Sequence, residues 1–385
     1  MSKALVASCA AAFFMFGMTS SLLGPTINDL AAALGVSAAA VGLLRSGRQI
    51  GQFFGFSTLG SAADKYDLRL LALVGGFTMA LALLFVSWVG FLVAACASVV
   101  WGFGHSIYNL APNVIVGRVF EKNAPAVMTT LHGVYGIGAM AGPWIVEIFR
   151  TKGVFYTYAI SATLVALSAL LYAVLTTNNG KNTQDVSLKN GAGAKRIVVR
   201  EIWPFLAAVI LFNGAMFGAA DWLYYYAGRA PGATAHIAAV ATSSFWAALT
   251  IGRFLLGGLI SRFGERVVMR GSAVGAVIGS VALVLPDAPQ NMIIASALML
   301  GAGLAAIYPV LMACAANLYP ESRGIVTGNL AAAGAFGAII LPALQGWLIS
   351  ELGVGMVLIL ASAFLLSIVV WMLPLAGAPI EAKAS

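Results

Sequence analysis

The stretch ALALLFVSWVGFLVAACASVVWG, from Ala80 to Gly102, contains no charged side chain. Hydrocarbon offers a backbone N–H or C=O no partner, so a chain built of such runs must satisfy its peptide groups within helices or within a closed barrel. Barrel strands alternate in polarity over about ten residues, and that alternation is missing. Helices follow. Crossing about 30 Å of hydrocarbon takes roughly 20 residues, and windows of that length recur twelve times, at about 4–33, 37–62, 68–87, 90–118, 124–149, 153–175, 202–228, 234–261, 267–285, 290–318, 323–350 and 353–375. With 61% hydrophobic and 9% charged residues, and a mean hydropathy of +0.95, the chain lies outside the range of soluble globules. The reading is an all-α integral membrane protein of twelve transmembrane helices. The opening MSKALVASCAAAFFMFGMTSSLLG sets one lysine before an apolar run, as a cleavable signal does. The run is too long for a signal core and flows into further helices, so it is read as the first span.

The basic residues give the orientation. Of 21 Lys and Arg, only Arg150, Lys152 and Arg229 fall in loops on one side, Arg45, Arg48 and Arg253 fall within spans, and the rest share the other side. By the positive-inside rule both termini are cytoplasmic, in a bacterial-type inner membrane. The net charge of +8 therefore reports topology; basic residues scattered over loops make no nucleic-acid surface. Cys9, Cys96 and Cys314 lie in spans without metal-site or disulfide spacing and read as small packing residues.

One long polar segment, TTNNGKNTQDVSLKNGAGAKRIVVRE, has linker composition. It divides the chain into an N-terminal six-helix bundle (1–175), a cytoplasmic linker (176–201) and a C-terminal six-helix bundle with a short tail (202–385). The halves echo each other. GSAADKYDLR from Gly60 faces GGLISRFGER from Gly257, each after the second span of its half, and Leu131, Gly138 and Pro143 repeat the spacing of Leu330, Gly337 and Pro342. Such repeats mark many secondary transporters, whose solute sits near the midplane.

These motifs resemble the major facilitator superfamily over essentially the whole chain. The family's loop pattern, Gly-x-x-x-Asp-Arg/Lys-x-Gly-x-Arg/Lys, is matched by Gly60, Asp64, Lys65 and Arg69, with Asp67 at the second glycine; Gly257, Arg262, Gly264 and Arg266 match in the other half, with Ser261 at the acid. The resemblance implies a cytoplasmic gate formed by Asp64, Arg69, Arg262 and Arg266. A narrower resemblance, to the fucose, galactose and glucose proton symporters, rests on GFGHSIYNLAPN, LHGVYGIGAMAGP, SSFWAALTIGRFLLGG and IYPVLMACAANLYPESRG. It implies a sugar as solute. Asn109 stands where that branch often has a carboxylate, and the glycine run ending at Pro143 lacks the glycine pair of drug exporters.

Within the spans, LLRSGRQIGQ places Arg48 about 16 Å from the outer end of its helix, near the bilayer centre. A charge there costs about 2.5–3.5 kcal/mol on insertion scales, so it must face the bundle interior. Arg45 lies one turn outward on the same face, and Gln49 and Gln52 complete the stripe. Guanidinium binds carboxylates bidentately, so these four residues form the expected subsite for an organic anion; the competing reading is a strut bonded to helix carbonyls. Depth places Tyr135, Asn213 and Trp246 near the middle of the membrane and Asn109 and His132 in its inner half, groups suited to a sugar's hydroxyls and apolar face. Asp221, before WLYYY, is open to three roles: partner of Arg45, outer gate, or proton carrier. Glu147 is open to the same coupling or gating roles, with Arg150 one turn on as its local partner. His105 and His132 are candidate proton carriers near neutral pH, with a hydrogen-bonded packing role as the competing reading.

No metal cluster, nucleophile elbow or phosphate-binding loop is legible, so neither enzyme chemistry nor a cofactor is expected. The expectation is a monomeric secondary transporter that moves a small polar organic solute, a sugar, sugar acid or other organic anion, with protons as a possible partner. The runner-up is a multidrug or metabolite efflux antiporter.

Overall fold

The computed structural model describes residues 3–59, 66–88, 90–120, 124–176, 199–229, 232–283, 285, 288–318 and 323–352. It divides into two compact units, Met1–Lys189 and Asn190–Ser385. The first holds α1 (Lys3–Ser20), α2 (Leu23–Leu34), α3 (Ala38–Leu59), α4 (Leu68–Val86), α5 (Phe91–Phe120), α6 (Ala124–Phe149) and α7 (Val154–Leu175). The second holds α8 (Val199–Ala227), α9 (Ala235–Phe263), α10 (Glu265–Leu283), α11 (Gln290–Ala305), α12 (Ile307–Leu318) and α13 (Arg323–Leu352). Among the described residues eight helical segments are long and apolar enough to cross a bilayer, or nine if α2 and α3, bent by 115°, are joined as one span. The twelfth expected span and linker residues 177–198 lie outside the described residues.

Two expected spans are broken, and a proline explains the place of each break. Pro25 lacks an N–H, and its ring clashes with the carbonyl four residues back, at Ser21, where α1 has just ended. Pro309 stands in the same relation to Ala305, the last residue of α11. Pro112 and Pro143 lie inside unbroken α5 and α6, so a proline ring alone does not stop a helix here. In α1 side-chain competition adds to it: Thr19 Oγ1 donates to the Met15 carbonyl at 2.7 Å, Ser20 Oγ to Phe16 at 2.7 Å and Ser21 Oγ to Met18 at 3.1 Å. Downstream, α2 stops at Gly35, whose φ of 67° lets its N–H and that of Val36 turn back onto the Ala31 carbonyl.

Inside each unit the helices pair in one order. In the first, α1 packs on α6, while α3 and α4 both pack on α5; in the second, α8 packs on α13, while α9 and α10 both pack on α11. The repeat legible in the sequence is therefore a repeat of contacts. Small residues set the contact distances. A Cβ on Gly102 would overlap the Arg48 carbonyl, and one on Gly301 the Phe245 carbonyl, so α3 and α9 lie backbone to backbone against α5 and α11. Gly138 and Gly337, matched by spacing above, meet the Phe14 and Ile210 carbonyls of α1 and α8 in the same manner.

Hydroxyl pairs tie α7 into the first unit, Thr26 Oγ1 with Tyr158 Oη and Tyr108 Oη with Ser168 Oγ, each at 3.1 Å. The core beneath them gathers Phe13, Phe16, Tyr108, Leu131 and Tyr172 from α1, α5, α6 and α7. Large apolar side chains such as Leu92, Ile148 and Val174 point outward instead, as helices solvated by lipid require.

Candidate functional site

In the first unit the polar interior is organised around the end of α1. The last carbonyls of a helix have no partner within it and carry its negative dipole end, so a break inside a membrane needs donors from elsewhere. Arg45 supplies one: it is 2% exposed and its Nη2 donates to the Ser20 carbonyl at 3.0 Å. Arg48, 3% exposed, donates from Nη2 to Ser20 Oγ at 2.7 Å and lies 4.6 Å from the centre of the Trp101 ring. Charge-assisted bonds of that length and a desolvated cation–π contact are each worth about 2 kcal/mol, enough to offset the insertion cost of a buried guanidinium.

Two groups on α5 complete this cluster. Trp101 and His105, four residues apart, share one face of the helix, and Trp101 Nε1 and His105 Nδ1 are both buried with no hydrogen-bond partner. The His105 ring lies 4.6 Å from that of Phe16 and within electrostatic reach of Arg48. Gln49 is buried and Gln52 half-buried on the same helix as the arginines. The two arginines of the expected stripe thus meet α1, and Arg48 also meets α5. Ser20 and Trp101 were not singled out as site residues from the sequence. The run of hydroxyls before Pro25 was the available signal for Ser20, whereas nothing in the sequence distinguishes Trp101 from a packing aromatic.

In the second unit Asp221 is 4% exposed on α8 and Trp246 3% exposed on α9, with the indole N–H buried and without an acceptor. Asn213 turns its amide to its own helix, Nδ2 donating to the Val209 carbonyl at 3.3 Å. Gln345, which sequence reasoning passed over as one amide in an apolar run, donates from Nε2 to the Gly214 carbonyl at 3.4 Å and holds α13 against α8. Its Oε1 is buried without a donor.

The remaining expected residues are dispersed. The side-chain oxygen of Asn109 accepts from Asn113 Nδ2 at 2.8 Å. His132 is exposed on α6, its ring edge-on to Phe13 at 5.4 Å, and Tyr135 is half-buried one turn on. Glu147 pairs with Arg150 at 3.8 Å. Asp64 lies outside the described residues. Its expected companion Arg69 pairs with Asp67 at 2.7 Å, and Asp67 also caps α4 by accepting from the Arg69 N–H at 2.8 Å. The Arg69 side chain holds the Asp67 carboxyl below the usual aspartate range. Arg262 and Arg266 are exposed around the start of α10. Cys9 is buried as expected of a packing residue, but Cys96 is exposed, on the outward face of α5. Among the described residues no group of three or more His, Cys, Asp and Glu side chains is placed to hold a metal ion.

Apolar helices of bilayer length, a contact order repeated in both units, and charged side chains buried inside a helix bundle define a membrane transporter built from internal repeats. The family model of the Major Facilitator Superfamily matches residues 9–230 and 224–385, and the chain belongs to that superfamily. An uncharacterized MFS-type transporter of Yersinia pestis is 25% identical over 347 residues, covering 88% of this chain and 87% of the relative. Among solved structures, a variant of the nucleoside transporter NupG matches with a TM-score of 0.80 at 14% identity, over 96% of this chain and 99% of that one. A D-xylose-proton symporter matches with a TM-score of 0.72 at 16% identity, over 94% and 96%. At such identities these structures share the fold.

Proposed function

We propose that the protein is a secondary transporter which moves a small polar organic solute, a sugar acid or another organic anion before a neutral sugar, across a bacterial-type inner membrane by alternating access, as a monomer. The observation that carries this reading is the donor-rich cluster of the first unit. Arg48 is held between Ser20 and Trp101, and the adjoining Trp101 N–H is buried without an acceptor. An indole nitrogen only donates, so the group that completes it must bring an acceptor oxygen. A carboxylate supplies such oxygens together with the counter-charge; a sugar hydroxyl supplies the oxygen alone. Gln49, Gln52 and Arg45 extend the subsite along α3, and Asp221 and Glu147 are the acids proposed for proton coupling or an outer gate.

The test is thermal stabilisation of the purified protein by sugar acids, carboxylates and neutral sugars, followed by uptake and counterflow in proteoliposomes. Wild type is compared with Arg48→Lys and Arg48→Gln. Bonds to a charged group are worth about 1.5–3 kcal/mol, so Arg48→Gln is expected to weaken binding of the anion roughly tenfold to hundredfold. Arg48→Lys, which keeps the charge without the planar fork, is expected to fall between. Equal affinity in all three proteins ends the anion reading; stabilisation by a neutral sugar with no response to any anion replaces it with the sugar reading. Flux that neither saturates nor shows counterflow overturns the carrier assignment itself.

A further inference from the structure

The second unit carries an apolar groove between three of its helices. The groove has a volume of about 950 Å³, with walls from α9 and α10 and a floor from α11. Its shape follows from how these helices pair: α9 and α10 each pack closely on α11 and only loosely on each other, so a furrow opens between them. In the first unit α3, α4 and α5 pair in the same order. The close contacts give the register between the two sets. Gly102 meets Arg48 as Gly301 meets Phe245, and Gly104 meets Met79 and the Gly75 carbonyl as Gly303 meets Ala276 and the Ser272 carbonyl. That register sets Gly271 and Gly275 of α10 against Val74 and Thr78 of α4, and Ala302 of α11 against Phe103 of α5. Larger side chains stand in the first unit at the positions where the second has glycine or alanine. A Cβ at Gly271 would meet nothing within 4 Å, and one at Gly275 only the Cα of Gly303 at 3.9 Å, so no packing among the described residues requires these residues to be small.

One end of the groove is charged. Phe263 and Val267 line that end. Arg262, exposed, holds its guanidinium 5.3 Å from the centre of the Phe263 ring. By helical spacing from Leu255 it shares the α9 face that forms the wall. Arg266 and Arg270 are exposed on the following helix. The first turn of α10 begins at the same place and presents helix N–H groups there. Glu265 at this end accepts from Cys314 Sγ at 3.6 Å and keeps its negative charge, which among the described residues Arg262, Arg266 and Arg270 outnumber.

We propose that this groove is a binding site for one anionic phospholipid, whose acyl chain lies between α9 and α10 along the Gly271 and Gly275 face and whose phosphate meets Arg262 and the start of α10. The apolar length accounts for the chain, and the basic end selects a negative headgroup over a zwitterionic one. The volume falls among sites of about 300–1,000 Å³ that hold ligands of drug size. At the matching positions of the first unit Val74, Thr78 and Phe103 carry the bulk that Gly271, Gly275 and Ala302 lack.

The experiment is native mass spectrometry of the full-length protein, delipidated in detergent and titrated with phosphatidylglycerol or phosphatidylcholine of equal chain length. Wild type is expected to retain one phosphatidylglycerol in preference to phosphatidylcholine. Gly271→Val with Gly275→Thr, which copies the first unit, is expected to lose that bound lipid while remaining folded, with a melting temperature without lipid at or slightly above that of wild type. Arg262→Gln tests the headgroup separately: it is expected to cut the preference for phosphatidylglycerol about fivefold, the effect of one surface cation on an anionic headgroup, while a chain is still retained. Equal lipid retention by wild type and the filled variant overturns the proposal. So does a wild type that shows no headgroup preference, or a dimer that disappears when the groove is filled, since the occupant is then a second copy of the chain.

Discussion

Replacing Gly102 by alanine tests the packing on which the arginine cluster rests. Two effects oppose each other. Alanine removes the backbone-entropy cost of a mid-helix glycine, a gain of about 0.5–1 kcal/mol. Against this, the new Cβ overlaps the Arg48 carbonyl, a backbone group that has no rotamer by which to withdraw, so α3 and α5 must part. Overpacking costs about 1–3 kcal/mol, and a backbone obstacle places Gly102→Ala near the upper end. The net is a loss of about 2 kcal/mol, which for a unit of this size lowers the melting temperature by about 4–8 °C. Gly301→Ala, against the Phe245 carbonyl, is expected to behave alike because it occupies the same place in the repeat. Gly258→Ala is the control: a Cβ there meets nothing within 4 Å, so only the propensity gain remains and the melting temperature rises by about 1–4 °C. The assay is thermal unfolding in detergent followed by tryptophan emission. A Gly102→Ala protein that melts at or above wild type, or a Gly258→Ala protein that falls by as much, refutes the inference that backbone contact sets the helix spacing.

The Asp67–Arg69 pair has a signed pH dependence. Because the folded carboxyl titrates below its unfolded value of about 3.9, its contribution is complete above that pH and declines as the pH falls through the lower folded value. The difference in melting temperature between wild type and Asp67→Ala is therefore expected to hold steady from pH 7 to about 5 and to narrow towards pH 3; a difference that grows with acid contradicts the assignment. Cysteine exposure gives a second check on side-chain placement. With Cys9 buried, a membrane-permeant maleimide is expected to modify it only after unfolding, as read by mass spectrometry of wild type and Cys9→Ser. Exchanging Tyr158 for phenylalanine removes a buried hydroxyl partner of Thr26, and a loss of about 1 kcal/mol, or about 2–4 °C, is expected in the same melting assay.

Particular residues show where sequence reasoning stopped. Each apolar window is a local property: a helix in lipid depends only on its own twenty residues and on the absence of water, so α3 to α10 stand close to where hydropathy puts them. The motif around Gly60 and Gly257, and the triplets ending at Pro143 and Pro342, are likewise readable because spacing along one chain survives without knowledge of its neighbours. The breaks after Ser20 and Ala305 were missed for the opposite reason. Pro112 and Pro143 sit in continuous helices, so the same residue type stops a helix or not according to what else competes for its carbonyls. At the site, helical spacing along α3 groups Arg45, Arg48, Gln49 and Gln52 but carries no information about what they touch.

By itself the sequence determined that the chain is a helical membrane protein with two related halves and two buried cations in its second span, because solvation by lipid and covalent order impose these features one helix at a time. Only the tertiary structure decided that Arg48 rests on Trp101 and Ser20, that Arg45 closes the end of a broken helix, and that a furrow opens between α9 and α10. Those outcomes depend on close approaches between helices far apart along the chain. A difference of one methyl group at a glycine decides whether such helices touch or part, and no run of twenty residues records it.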